Sequence, residues 1–276
     1  GANILHKIEA YLLKYGAGIM AAGPAGYIRL NDMLNIGSSA PFNANDEDAF
    51  KVLSKPQSEF LNSRITRVGN AKRLDAYPLS RIQKRKRNKK FRILYIGVLE
   101  KHPSRGILET AITVNKMKDV QFDIGGFGTL VPTIMKVCEK MANVNYIGSI
   151  HPDNVPLQTI ESDAVLMALD PKNDNNRMSA PNKLFEAMSA GVPIITCKEL
   201  LMGQFVENEE IGLTFEWGKW DRLKAAIMKL IYDKELQAKM GRRGRKLAEK
   251  THNWEKCEER IESLYRYVKL NSISPA

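Results

Sequence analysis

The stretch "RMSAPNKLFEAMSAGVPIIT", residues 177–196, governs the reading of this chain. From Asn182 to Ala190 it has helical spacing. At roughly 100° per residue, Asn182, Lys183 and Glu186 share one face, while Leu184, Phe185 and Met188 fall on the opposite, core-facing side. Pro181 suits the first turn of a helix, where its missing N–H costs nothing, and Gly191 suits the stop. "VPIITC" (192–197) then reads as a buried strand. The polar face lies at the helix start, beside free N–H groups and the positive end of the dipole, which attract a phosphate and a diphosphate above all. Glu186, one turn further in, would repel a phosphate. It suits instead a pair of vicinal hydroxyls, such as a ribose carries. Diphosphate and ribose together describe a nucleoside diphosphate. On spacing alone, an ordinary surface helix with solvated Lys and Glu accounts for the pattern equally well.

Downstream of residue 90 the chain alternates short apolar strands with amphipathic helices. "FRILYIGVL" (91–99), "VQFDIGGFG" (120–128), "NVNYIGS" (143–149), "DAVLMAL" (163–169), "VPIITC" and "IGLTF" (211–215) read as strands. "GILETAITVNKM" (106–117) and "TLVPTIMKVCEKM" read as helices between them, "PDNVPLQTIESD" as a short one, and three helices finish the chain near Leu270. "DPKNDNNRMSA" reads as a polar loop. Such alternation builds βαβ units and a doubly wound, Rossmann-like parallel α/β sheet. Ligands of these sheets sit at the carboxyl ends of the strands, which directs attention to the loops after Gly97, Ile124, Ile147 and Leu169. Upstream, residues 3–15 and 27–34 read as helical, "AGIMAAG" (17–23) as a short strand with Pro24 and Gly26 opening a turn after it, and residues 35–80 carry no clear pattern.

Composition narrows the function classes. With 43% hydrophobic residues the chain can bury a sizeable core. Three dispersed cysteines, Cys138, Cys197 and Cys257, form no zinc or disulfide framework and suit a reducing, cytoplasmic setting. The longest weakly polar run, residues 17–28, is too short to span a bilayer. The net charge of +11 favours anionic partners. Much of it sits in "SRIQKRKRNKK" (80–90), which reads as a solvated linker or as a peripheral contact with anionic membrane at the inner face. No aromatic residue interleaves with those charges, which argues against nucleic acid.

The motifs carry a resemblance. "PNKLFEAMSAGVPIIT" is similar to the signature of the retaining glycosyltransferases of family 4 and relatives, which have the GT-B fold. "RILYIGVLEKHPSRGILETA" resembles the first strand, phosphate loop and helix of that family's C-terminal domain. "VQFDIGGFG" resembles its second strand and glycine turn, "NVNYIGSI" the strand and loop at the nucleobase, "ESDAVLMAL" the strand before the donor loop, and "HNWEKCEERIESLY" the final helix. The likeness runs from about Phe91 to Tyr267.

It implies a sugar transfer, of hexosyltransferase type, from a UDP- or GDP-sugar to an acceptor glycan or lipid-linked sugar, with retention and without a metal or other cofactor. Glu186 would hold the ribose hydroxyls, and the backbone of Asn182, Lys183 and Leu184 would meet the diphosphate. Arg105 would pair with the same group, Ser149 and Ile150 would lie along the base, and Gly126 and Gly128 would let backbone approach the donor. In the donor loop no Asp-x-Asp motif opposes the metal-free reading, since three residues separate Asp170 and Asp174.

Departures from the pattern are informative. Met178 stands where the family often has a glutamate contacting the donor hexose, and Val98 where it commonly has an arginine. One phosphate contact would then be lost, or taken over by Lys101 or Lys183, and Asp174, Asn175 and Asn176 are candidates for donor-sugar selection. Residues 1–80 are short for the acceptor-side half of a GT-B enzyme and resemble only its tail. The expected division is therefore that tail, a basic linker (81–90), a nucleotide-sugar domain (91–250) and a C-terminal helix (251–276) returning toward the tail. A non-catalytic binding module is one alternative. A dinucleotide-dependent oxidoreductase is another and weaker one, because Val131 replaces the third glycine of the "GGFG" turn.

Overall fold

The computed structural model describes residues 19–21, 65–85, 88–101 and 104–271. The chain divides into two compact units, one formed by Lys72–His252 and the other by Gly1–Ala71 with Asn253–Ala276. In the second unit β1 (Ile19–Ala21) and β2 (Ile65–Arg67) pair in parallel, with Ile19 opposite Ile65.

The larger unit opens with α1 (Leu79–Gln83), followed by β3 (Phe91–Val98), α2 (Ile107–Asn115), β4 (Val120–Phe127) and α3 (Val131–Lys140). Then come β5 (Val144–Tyr146), α4 (Val155–Ile160), β6 (Ala164–Met167), α5 (Asp174–Met178) and α6 (Asn182–Ala190). β7 (Ile194–Cys197), α7 (Leu201–Asn208), β8 (Gly212–Phe215), α8 (Trp220–Tyr232) and α9 (Lys234–Lys250) complete it. The last helix, α10 (Trp254–Asn271), belongs to the smaller unit and lies against β2.

The six strands β3–β8 form one parallel sheet in the order β5-β4-β3-β6-β7-β8. This is the doubly wound arrangement expected from the alternating pattern. Its order reverses between β3 and β6, so the loops leaving those two strands diverge and open a crevice at their carboxyl ends. Alternate residues Phe91, Ile93 and Tyr95 of β3 and Val120, Phe122 and Ile124 of β4 pack with Ile107, Ala111 and Val114 of α2 in the main core. Burial of these apolar side chains drives the fold.

α6 is fastened at its far end. Gly191 takes the left-handed conformation (φ 65°) that ends a helix, and the Val192 N–H reaches back to the Ala187 carbonyl at 3.0 Å. The Arg245 guanidinium of α9 donates to the Ser189 carbonyl (2.6 Å) and to the Tyr77 carbonyl (2.7 Å). α9 comes this close because Gly241 has no side chain; a Cβ there would stand 2.2 Å from the Gly191 oxygen. α6 is thereby tied at its C-terminal end to α9.

Several elements were illegible in the sequence. β2 lies inside the unpatterned 35–80 region, and α1 overlaps the stretch expected to be linker. α5 forms in the "polar loop" because the Asn173 side chain accepts from the Asn176 N–H and caps it, with little apolar periodicity to betray it. α7 buries Leu201, Met202, Phe205 and Val206. The helices expected over 3–15 and 27–34 lie outside the described residues.

Candidate functional site

Three side chains converge at the end of β3. The Tyr95 phenol donates to the Val98 carbonyl at 3.0 Å, and the Lys183 ammonium stands 4.4 Å from the centre of its ring. Burial pushes the Tyr95 phenol up to about 12, while the charge of Arg105 and a hydrogen bond from it work in the opposite direction. Arg105 is thus part of the same cluster, and its buried Nε has no hydrogen-bond partner among the described residues. A buried guanidinium N–H without an acceptor costs free energy, so it marks a place where an acceptor fits.

Lys183 is not on the solvent-facing side of α6 that its spacing suggested; only 8% of it is exposed. It turns inward because Gly97 leaves room: a Cβ on that residue would meet Lys183 Nζ at 2.7 Å. Burial lowers Lys183 to about 8, with Glu186 opposing the shift and Arg105 adding to it. Two opposite pH effects follow. Above about pH 8 the ammonium loses its proton in the folded chain, so affinity for inorganic diphosphate should fall as pH rises from 7 to 9. Stability should change the other way. Lysine in the unfolded chain keeps its proton to about 10.4, so between those values the unfolded state binds more protons and raising pH favours folding. Calorimetric titration and denaturant melts at pH 7, 8 and 9, on wild type and Lys183→Met, check both signs. Both slopes should flatten in the variant.

Glu186 and Asn182 share a partner. Lys72 Nζ lies 3.1 Å from Glu186 Oε1 and 2.9 Å from Asn182 Oδ1. The Glu186 side chain is 13% exposed, which leaves it reachable from the crevice. Leu184, by contrast, is buried in the core, and only its backbone belongs to the helix start. Among the described residues no side chain caps α6.

Gly126 and Gly128 have a packing reason beside any ligand. Their φ values are 137° and 142°, and a Cβ would stand 1.8 Å from the Gly97 oxygen and 2.3 Å from the Leu99 oxygen respectively. The space a side chain would need is filled by the backbone at the end of β3. In the loop after β5, Ser149 is exposed and Ile150 half-buried, its Cγ1 lying 3.0 Å from where a Gly125 Cβ would be. The Gly126 N–H donates to the Gly148 carbonyl at 2.9 Å, tying this loop to the glycine turn.

Of the donor-sugar candidates, Asn176 is buried and donates to the Asp170 carbonyl (3.1 Å), so it builds the loop itself. Asp174 is exposed and pairs with Arg177 at 3.4 Å, and Asn175 is exposed. Met178 is half-buried at the end of α5. Val98 and its register partner Phe127 both stay exposed, as does Lys101. Sequence reasoning missed Tyr95, hidden in a strand, and Lys72, hidden in an unpatterned segment. No local signal would have found either.

A family model described as "Glycosyl transferases group 1" matches residues 78–247, more than half of the chain. The chain belongs to that family. Among solved structures, sucrose-phosphate synthase from Thermosynechococcus elongatus is 17% identical with a TM-score of 0.67, over 98% of this chain and 62% of that one. HepE of Anabaena, solved in complex with UDP-glucose, is 14% identical with a TM-score of 0.63, over 99% of this chain and 68% of that one. TarM from S. aureus, solved with UDP, is 16% identical with a TM-score of 0.60, over 95% of this chain and 46% of that one. At these identities the likeness speaks for the fold: the sheet is that of a GT-B glycosyltransferase C-terminal domain. The chain spans less than two thirds of the synthase and less than half of TarM. No sequence among curated proteins matches it.

Proposed function

We propose that this group 1 glycosyltransferase supplies the donor half of a retaining hexosyl transfer from a UDP- or GDP-sugar to a glycan or lipid-linked acceptor. The observation that carries the reading is the convergence of Arg105, Lys183 and the uncapped start of α6 on the switch-point crevice, with Glu186 one turn inside. Departure of the sugar leaves negative charge on the diphosphate. Donors already in place stabilise that charge without reorganising, which lowers the barrier. Lys183 and Arg105, together with the helix N–H groups, fill this role and need no metal ion. The ribose hydroxyls donate to Glu186, and the base lies along Ser149 and Ile150. In this reading Asp174 and Asn175, exposed on α5, are left to meet the sugar.

The basic run supports a peripheral contact with an anionic membrane surface. Arg81, Lys84, Lys89 and Lys90 are all exposed in it. Among the described residues no helix is long and apolar enough to cross a bilayer.

Calorimetry with UDP, GDP and NAD tests the reading. A nucleoside diphosphate should bind and NAD should not; NAD binding without UDP or GDP binding overturns it. Arg105→Ala should weaken UDP by roughly 1.5–3 kcal/mol, the range for a hydrogen bond to a charged group, and leave uridine nearly unchanged. Equal losses for both ligands would remove Arg105 from the diphosphate.

A further inference from the structure

A carboxylate one turn inside an anion-binding helix start poses a physical difficulty. Two like charges some 7 Å apart near a protein surface repel enough to weaken binding about tenfold or more. Glu186 would oppose the diphosphate that the rest of the site attracts. The structure holds an answer in a residue outside the sheet and its loops. Lys72 precedes the first strand of the larger unit, yet its ammonium lies 3.1 Å from Glu186 Oε1 and 2.9 Å from Asn182 Oδ1, over the first turn of α6. Among the described residues it is the cation within ion-pair distance of that carboxylate. Lys183 points elsewhere, over the Tyr95 ring, and the charge of Arg105 acts on the same phenol.

We infer that Lys72 is a positioning residue that cancels the Glu186 charge and holds the carboxylate, so that one helix tip takes both a ribose and a diphosphate. The inference rests on the nucleotide reading above and assigns a role that reading lacks. Lys72 engages Oε1 and leaves Oε2 to accept from a hydroxyl. The Asn182 bond fixes where the ammonium sits. It keeps the positive charge on the side of the carboxylate that faces the helix start, which is the side a phosphate approaches. Arg105 and Lys183 are then free to serve the diphosphate instead of being spent on Glu186. Pairing at 24% and 13% exposure limits screening by solvent, so the compensation is felt at the site.

A merely structural lysine and a charge-compensating one are separated by the ligand that suffers. Affinities of UDP, uridine and inorganic diphosphate are measured by calorimetry or competition on the full chain. Lys72→Met should weaken UDP and inorganic diphosphate about tenfold and uridine by less than about twofold. Lys72→Arg should stay near wild type. Glu186→Gln, which leaves the Lys72 ammonium uncancelled, should tighten inorganic diphosphate by a similar factor. The double variant Lys72→Met/Glu186→Gln, with neither charge, should bind it like wild type. Should Lys72→Met fail to fold, Glu186→Gln alone decides the same question. Unchanged diphosphate affinity in Glu186→Gln, or equal losses for uridine and diphosphate in Lys72→Met, overturns the role of Lys72. Failure of the wild type to bind UDP or GDP would instead remove the nucleotide reading.

Discussion

Glu186→Ala should weaken uridine by about 1.5–3 kcal/mol, the range for hydrogen bonds to an ionised acceptor, or roughly one to two orders of magnitude in affinity. The carboxylate is the acceptor that the crevice offers to a pair of hydroxyls, and alanine offers none. UDP should lose less than uridine, because the same change frees the Lys72 ammonium beside the helix start. Inorganic diphosphate, which has no ribose, should not weaken at all. Competition against a fluorescent UDP analogue measures all three. Unchanged uridine affinity would remove the ribose assignment, and a large loss of diphosphate affinity would show that the helix tip itself had moved.

The second large effect is on stability. Gly126→Ala should cost about 2–5 kcal/mol, combining the strain of a side chain in an unfavourable backbone region with a steric clash in a packed site. Both terms apply at this residue. Its φ is 137°, and the added carbon would stand 1.8 Å from the backbone oxygen of Gly97, which cannot swing away as a side chain does. Relief requires β3 and β4 to part where they are register partners, at Gly97 and Gly126. That displacement also moves Gly97 relative to Lys183 Nζ, so whatever folds should bind diphosphate poorly. Denaturant melts of the variant and of Gly218→Ala as a control check this. The control has open space around the added carbon but a φ of 83°, so it should show backbone strain without the clash. Equal losses in the two variants would mean that the close approach of β3 and β4 carries no weight.

Much of the fold was legible because it is written at short range. The strands from "FRILYIGV" to "GLTF" are apolar and β-favouring, and the helices between them repeat their apolar residues at helical spacing. In this class of sheet, strand-then-helix order along the chain also determines where ligands bind. The site was legible in part. Glu186 and Asn182 stand at the start of α6 as their spacing suggests, and Arg105 lies in the loop after β3. Elements built by capping or by tertiary burial escaped. α5 rests on one asparagine side chain and α7 on its fit against the sheet. Asn176 is of the same kind, drawn into the protein by the Asp170 carbonyl although its neighbours look solvated.

By itself, the sequence determined the parallel α/β sheet, the crevice at its carboxyl edge, and a helix there that starts with Asn-Lys and carries Glu one turn in. Only the tertiary structure decided how those charges are shared. Lys183 turned inward because a glycine on a distant strand left space for its ammonium, and Lys72 reached across more than a hundred residues to Glu186. Periodicity reports which face of an element a side chain leaves from. Where a long flexible chain ends depends on the cavity and the opposite charge it finds, and neighbours far away in sequence supply both.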